Sequence, residues 1–165
     1  MAKKEKTGKR DYHYSMNHST FGDDLYMCDI DSYSVEYISD DGDKEWYLND
    51  KLHREDGPAI ECASGTKSWY LNGKLHRVDG PAIECANGAK YWYLNDKLHR
   101  EDGPAIEWAN GNKIWYLNGK CHREDGPAIE HADGAKEWYV DGEQIEVPNN
   151  DNDIFLRMIN LKVLW

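Results

Sequence analysis

A chain of 165 residues makes one ordinary domain or one short repeat array, and a net charge of −11 sets it against phosphate backbones, which excludes direct duplex binding. Hydrophobic residues make up 39% of the chain, below the usual globular share, and eleven Tyr and seven Trp stand against two Phe. Amphipathic aromatics over a thin core suit half-exposed sheets stacked in one direction better than a ball.

The first segment, residues 1–20, is polar and basic at its start. Residues 1–11 carry five basic and two acidic groups. Its low apolar content predicts a flexible segment. MAKKEKTGKR lacks the apolar run of a signal peptide. No stretch of the chain approaches the ~18 apolar residues that span a bilayer. Cys28, Cys62, Cys85 and Cys121 show no tight pairing pattern, so reduced thiols and a cytoplasmic location are expected.

Residues 21–45 read as an acidic, degenerate repeat that caps the entry of an array. Residues 23–45 hold nine acids and one Lys. Gly42 and Lys44 sit one period before Gly65 and Lys67, and a polar outer face at an end prevents end-to-end stacking.

The array itself occupies residues 46–147. Trp46, Trp69, Trp92, Trp115 and Trp138 are 23 residues apart, and each opens a near-copy of WYLNDKLHREDGPAIECASGTKS. A fixed short period is the mark of a repeat architecture. In each unit PAIE is a strand signal, followed by ASG, ANG or ADG and a second strand running into the next WYLN. Asn87-Gly88, Asn110-Gly111 and Asp133-Gly134 are placed as two-residue hairpin turns, with positive φ at both central positions. A turn of that length sets the Ile of PAI opposite the Trp of the following unit. Pro58, Pro81, Pro104 and Pro127 each follow a Gly and fit the first residue of a strand. About two strands per unit are expected, in a single meandering sheet.

Residues 148–165 change character. Asp151, Asn152 or Asp153 can cap a helix in which Ile154, Phe155, Met158 and Leu161 recur at helical spacing. This helix is expected to cover the last hairpin; a helix docking into a partner groove is the alternative. The fold class that follows is all-β: a single-sheet array of stacked antiparallel β-hairpins in 23-residue repeats, with a short C-terminal capping helix.

The 23-residue period, the opening aromatic, NGK-x-H in two units and ADG or ANG at the tip resemble MORN-type repeats. The closer resemblance is to the variant form of that repeat found in bacterial, phage and large-virus proteins, over about Val35 to Gly142. The common MORN unit carries two glycines shortly after the His, where this chain has the longer HREDGPA. The resemblance implies a hairpin array used for protein contacts or, in some members, lipid contacts. It also points to phage accessory proteins that inhibit a host factor.

The repeated His-Arg-x-Asp-Gly could suggest acid–base or metal chemistry. His53, His76, His99 and His122 should recur every two strands, ~9–10 Å apart. Ligands of one zinc lie within about 2.1 Å of it. Catalysis also needs different groups converging in one cleft. These residues are therefore expected to bond one another and the backbone, with no metal, no cofactor and no catalytic residue.

Sixteen of the 23 positions are identical in all four full units, and the differences cluster around the hairpin tip. Tyr91, Trp108 and Ile114 are large and apolar where their equivalents are small or polar. With His131 they form a candidate partner-binding strip. Asp40, Asp41 and Asp43 in the acidic lead-in would steer a basic partner, including one that itself handles nucleic acid. The expectation is a non-enzymatic binding protein: a phage-type inhibitor of a host enzyme or defence complex, working by steric or electrostatic blockade in the host cytoplasm. A structural or assembly scaffold is the alternative, a hydrolase using His-Asp pairs the third reading. Oligomeric state is left open.

Overall fold

The structure is a computed structural model and describes residues 11–15 and 34–162. The chain divides into two units, Met1–Lys74 and Leu75–Trp165. In both, short antiparallel strands form stacked hairpins, so the chain is all-β with one C-terminal helix.

In the first unit Asp11–Ser15 pairs with Ser34–Ile38, which pairs with Lys44–Leu48. Lys44–Leu48 next pairs with Ile60–Glu61, and that strand with Lys67–Ser68. Residues 11–15 are thus a strand inside the segment expected to be flexible. DYHYS alternates tyrosine with polar residues, a strand pattern that composition averaged over 20 residues conceals. The remainder of that segment, and residues 21–33 of the entry cap, lie outside the described residues.

In the second unit the order is Ile83–Glu84, Lys90–Tyr91, Ile106–Glu107, Lys113–Ile114, Ile129–Glu130 and Lys136–Val140, closed by Glu143–Ile145. Two further hairpins stand apart from this sheet: Tyr93–Leu94 with Lys97–Leu98, and Tyr116–Leu117 with Lys120–Cys121. Each full repeat therefore contributes to four short strands and two hairpins, where two strands were expected; in the two middle repeats all four strands are two residues long.

The two hairpins differ in their turns. At the tip, Cys85 N–H donates to Ala89 O at 2.8 Å and Gly88 N–H to Cys85 O at 2.9 Å. Gly88 has φ 88°, but Asn87 is not left-handed. This is a three-residue loop, a type I turn closed by a left-handed glycine, and not the expected two-residue turn. The Asn87 side chain accepts the Ala89 N–H at 3.0 Å, which satisfies a donor inside the loop. The two-residue turns with positive φ at both positions lie instead at Asn95-Asp96 (50°, 64°) and Asn118-Gly119 (52°, 83°).

One extra loop residue shifts the register by one, and a shift of one exchanges the faces of a strand. Ile83 lies opposite Tyr91, not Trp92. The residues directly opposed across the second unit are Ile83, Tyr91, Ile106, Ile114, Ile129 and Glu137. The other face carries Glu84, Lys90, Glu107, Lys113, Glu130 and Lys136, a row of alternating charge. Trp thus shares a face with Glu, and Ile with the variable residue before Trp.

The core is thin and made mostly of alanine. Ala59 in the first unit and Ala82, Ala105 and Ala128 in the second are fully buried. Ala105 O accepts the Trp92 N–H and Ala128 O the Trp115 N–H, each at 2.8 Å. The Cβ there lies where strand meets return link, closed off from solvent.

The array ends on the helix Asn152–Lys162. Asp151 is the cap: its carboxylate accepts Asp153 N–H at 2.8 Å and Ile154 N–H at 3.4 Å. Trp138 and Phe155 are buried against each other, ring centroids 6.2 Å apart. Trp138 Nε1 donates to Asn152 Oδ1 at 3.4 Å, and Asn152 Nδ2 to Asp125 O at 3.3 Å. Phe155→Ala empties the largest fully buried side-chain site. The expected cost is about 3–5 kcal/mol, read as a lower urea midpoint for the loss of the helix signal, with Leu161→Ala on the exposed side as the near-neutral control.

Candidate contact surface

The return link HR-x-DGP is held by its arginine. Arg100 Cζ lies 4.1 Å from the Trp92 ring centroid. Its Nε donates to Asp102 at 2.9 Å, and its Nη1 to Pro104 O at 3.2 Å and Glu107 at 3.0 Å. Arg123 repeats this arrangement on Trp115, Asp125, Pro127 and Glu130, and Arg54 on Trp46, Asp56, Pro58 and Glu61. Gly103 is part of the arrangement: a Cβ there would lie 2.9 Å from Arg100 Cζ.

The histidines do not meet the aspartates of their own links. His99 Nδ1 accepts the backbone N–H of Asn118 at 3.1 Å, and His122 Nδ1 that of Asp141 at 3.1 Å. Each ties its link to the left-handed turn of the next unit, so the ring is needed as an acceptor at Nδ1. Among the described residues no group of three or more His, Cys, Asp or Glu is placed to hold a metal ion.

The four strip residues fall on the isoleucine face of the second unit. Tyr91 and Ile114 are in the row, and Trp108 and His131 occupy the same place in successive tips. Trp108 Nε1 donates to the Tyr91 hydroxyl at 3.1 Å, bringing two of the four together. His131 instead pairs with Glu137, Nε2 to Oε1 at 3.0 Å. All four are half-buried, so part of each surface is spent on its neighbours.

Asp40, Asp41 and Asp43 lie in the first unit, in a tip closed by Ser39 N–H to Asp43 O at 2.9 Å. Asp40 and Asp41 are exposed. Asp43 is not a free charge: its Oδ1 accepts the Ala63 N–H of the next tip at 2.8 Å. Asn112 does the same for Ala132, also at 2.8 Å. One apparently variable position is therefore a lock between tips, legible only once the loop length is known.

Sequence reasoning missed Val78. It stands where the other three links carry Glu, yet it lies away from the tips and is 83% exposed. The repeat alignment held that signal. No protein-family model matches the chain, and no curated protein sequence matches it. No helix among the described residues is long and apolar enough to cross a membrane.

Two titrations follow. The Arg hydrogen bond holds the carboxyls of Asp56, Asp79, Asp102 and Asp125 below the usual carboxylate range. A depressed folded pKa adds stability that is present above the unfolded value, about 3.9, and is lost as pH falls through the folded one. Melting temperature should fall below about pH 4, and Asp102→Asn should make that fall shallower in circular dichroism melts from pH 6 to 2. Cys62, Cys85 and Cys121 are free. Burial, then Glu137, pushes the Cys121 thiol from 9.0 up to about 11. At pH 8 its alkylation should be about a hundredfold slower in the native protein than in urea, by mass spectrometry.

Proposed function

We propose that the chain is a non-enzymatic protein-binding repeat protein that acts as a phage-type inhibitor of a host enzyme or defence complex. It blocks its target sterically and through its acidic charge. The observation that supports this reading is the isoleucine row with Trp108 against Tyr91. The bonds common to the repeats are spent on holding links and tips, and the large apolar side chains that differ between units gather on one face of the second unit. A Trp paired with a Tyr hydroxyl offers a rigid apolar anchor at low entropic cost, as binding hot spots do. The formal charge of −11 favours a basic partner, such as a protein that handles nucleic acid.

Capture from the source cell, followed by affinity measurement on the purified partner, tests the reading. Trp108→Cys takes the residue found in two sister units, so circular dichroism should be unchanged. Affinity should fall by about 2 kcal/mol or more. Neutralising Asp40 and Asp41, which carry no tip lock, should slow association and flatten its salt dependence. Unchanged affinity for Trp108→Cys rejects the strip. A self-assembled particle with no stoichiometric partner would support the scaffold instead.

A further inference from the structure

The second unit carries a groove of about 730 Å³ between two successive return links, floored by Trp92 and Leu94. It lies on the Trp–Glu face, away from the isoleucine row, and owes nothing to the strip. Val78 stands on one wall and Glu101 on the other. A neighbouring groove of about 590 Å³ is built the same way over Trp115 and Leu117, but carries Glu101 in the place of Val78. The first groove is therefore set apart by one exposed apolar side chain.

Its charges are sorted by depth. The guanidinium groups lie inward, Arg100 being 22% exposed, and each is bonded to two carboxylates: Arg77 to Asp79 and Glu84, Arg100 to Asp102 and Glu107. Glu101 faces outward at 86% exposed, with His99 Nε2 at 3.7 Å. Asp79 and Asp102 present their outer edges at the same rim. A visitor meets negative charge first and an apolar floor beneath it.

We propose that this groove docks a long cationic side chain, lysine or arginine, carried on an apolar-flanked basic segment of a partner polypeptide. The aliphatic stem lies over Val78, Trp92 and Leu94, and the charged head stays at the rim with Glu101 and the outer edge of Asp79. A stem buried on apolar surface with its head in water is how these two side chains cover hydrophobic ground. A neutral aliphatic chain would leave Glu101 unmatched, and a short polar one would leave Val78 and the indole wet. Charge complementarity thus selects a basic occupant, and the apolar floor selects a long one.

The probe is a capped pentapeptide with lysine between leucines, titrated into the full chain by NMR with the Val78 and Leu94 methyls and the Trp92 indole as reporters. Saturable shifts at these three are expected. The same peptide with norleucine at its centre should bind about tenfold more weakly, since the charge-assisted contact is lost. Glu101→Gln should weaken the lysine peptide about fivefold and leave the norleucine peptide unchanged. Val78→Ser should weaken both about threefold. Glu101 and Val78 are exposed and outside the arginine bonds, so neither variant threatens the fold. Absent shifts, equal affinity of the two peptides, an unaffected Glu101→Gln, or shifts that map to the isoleucine row each overturn the proposal. The measurement needs no natural partner, so failure of the Trp108 strip and failure of the groove are read separately.

Discussion

A guanidinium group stacked on an indole is the contact from which the rest of each repeat is built. Arg100 joins Trp92, the link it belongs to and the strand that follows, through one planar group with several donors. Taken singly these contacts are weak. The aspartates are largely exposed, and an exposed ion pair contributes about 0–1 kcal/mol, a cation–π contact about as much. Together they hold a seven-residue link that buries almost nothing apolar except an alanine. Lysine could not replace the arginine, because a point charge has no flat face to stack on a ring while its edge bonds a carbonyl and two carboxylates.

That contact also explains the composition. A chain with 39% hydrophobic residues cannot fill a conventional core. It substitutes polar side chains that are almost fully bonded: among the described residues no buried side-chain nitrogen or oxygen lacks a hydrogen-bond partner. Histidine works alongside arginine by accepting the N–H of a turn in the next unit, which links neighbours without a shared apolar interface. Stability is then spread along the array in small equal parts, as expected of a repeat protein.

The period, the all-β class and the capping helix were legible because they depend on spacing alone, and spacing is what a sequence records. The helix cap was narrowed to three residues, and geometry chose Asp151. The faces were not legible. Asn-Gly is compatible with a two-residue turn and with a three-residue loop, and that single residue decides whether Ile83 meets Trp92 or Tyr91. Tyr91 and Trp108 were grouped in one strip by their size alone; the hydrogen bond that joins them depends on the register. Asp43 was read as surface charge because a bond to the next tip has no local signature. Val78 was visible as a substitution, but its exposure within a groove is a property of two links at once.

The way the helix ends the array bears on how such a chain can change over generations. In the units before it, the indole that opens a repeat carries an arginine; at Trp138 the partner is Phe155, and the hairpin that follows joins the main sheet and carries no HR-x-DGP link. Termination therefore falls at a fixed position in the period, where the indole takes a new partner, independent of how many periods precede it. A duplication or loss of 69 bases, one whole unit, leaves the remaining arginine staples and the stop itself in place. Unit number can thus vary in whole steps by recombination between near-identical stretches, with no intermediate that fails to fold. Each added unit brings one more link groove, whose character is set by the single residue between Arg and Asp.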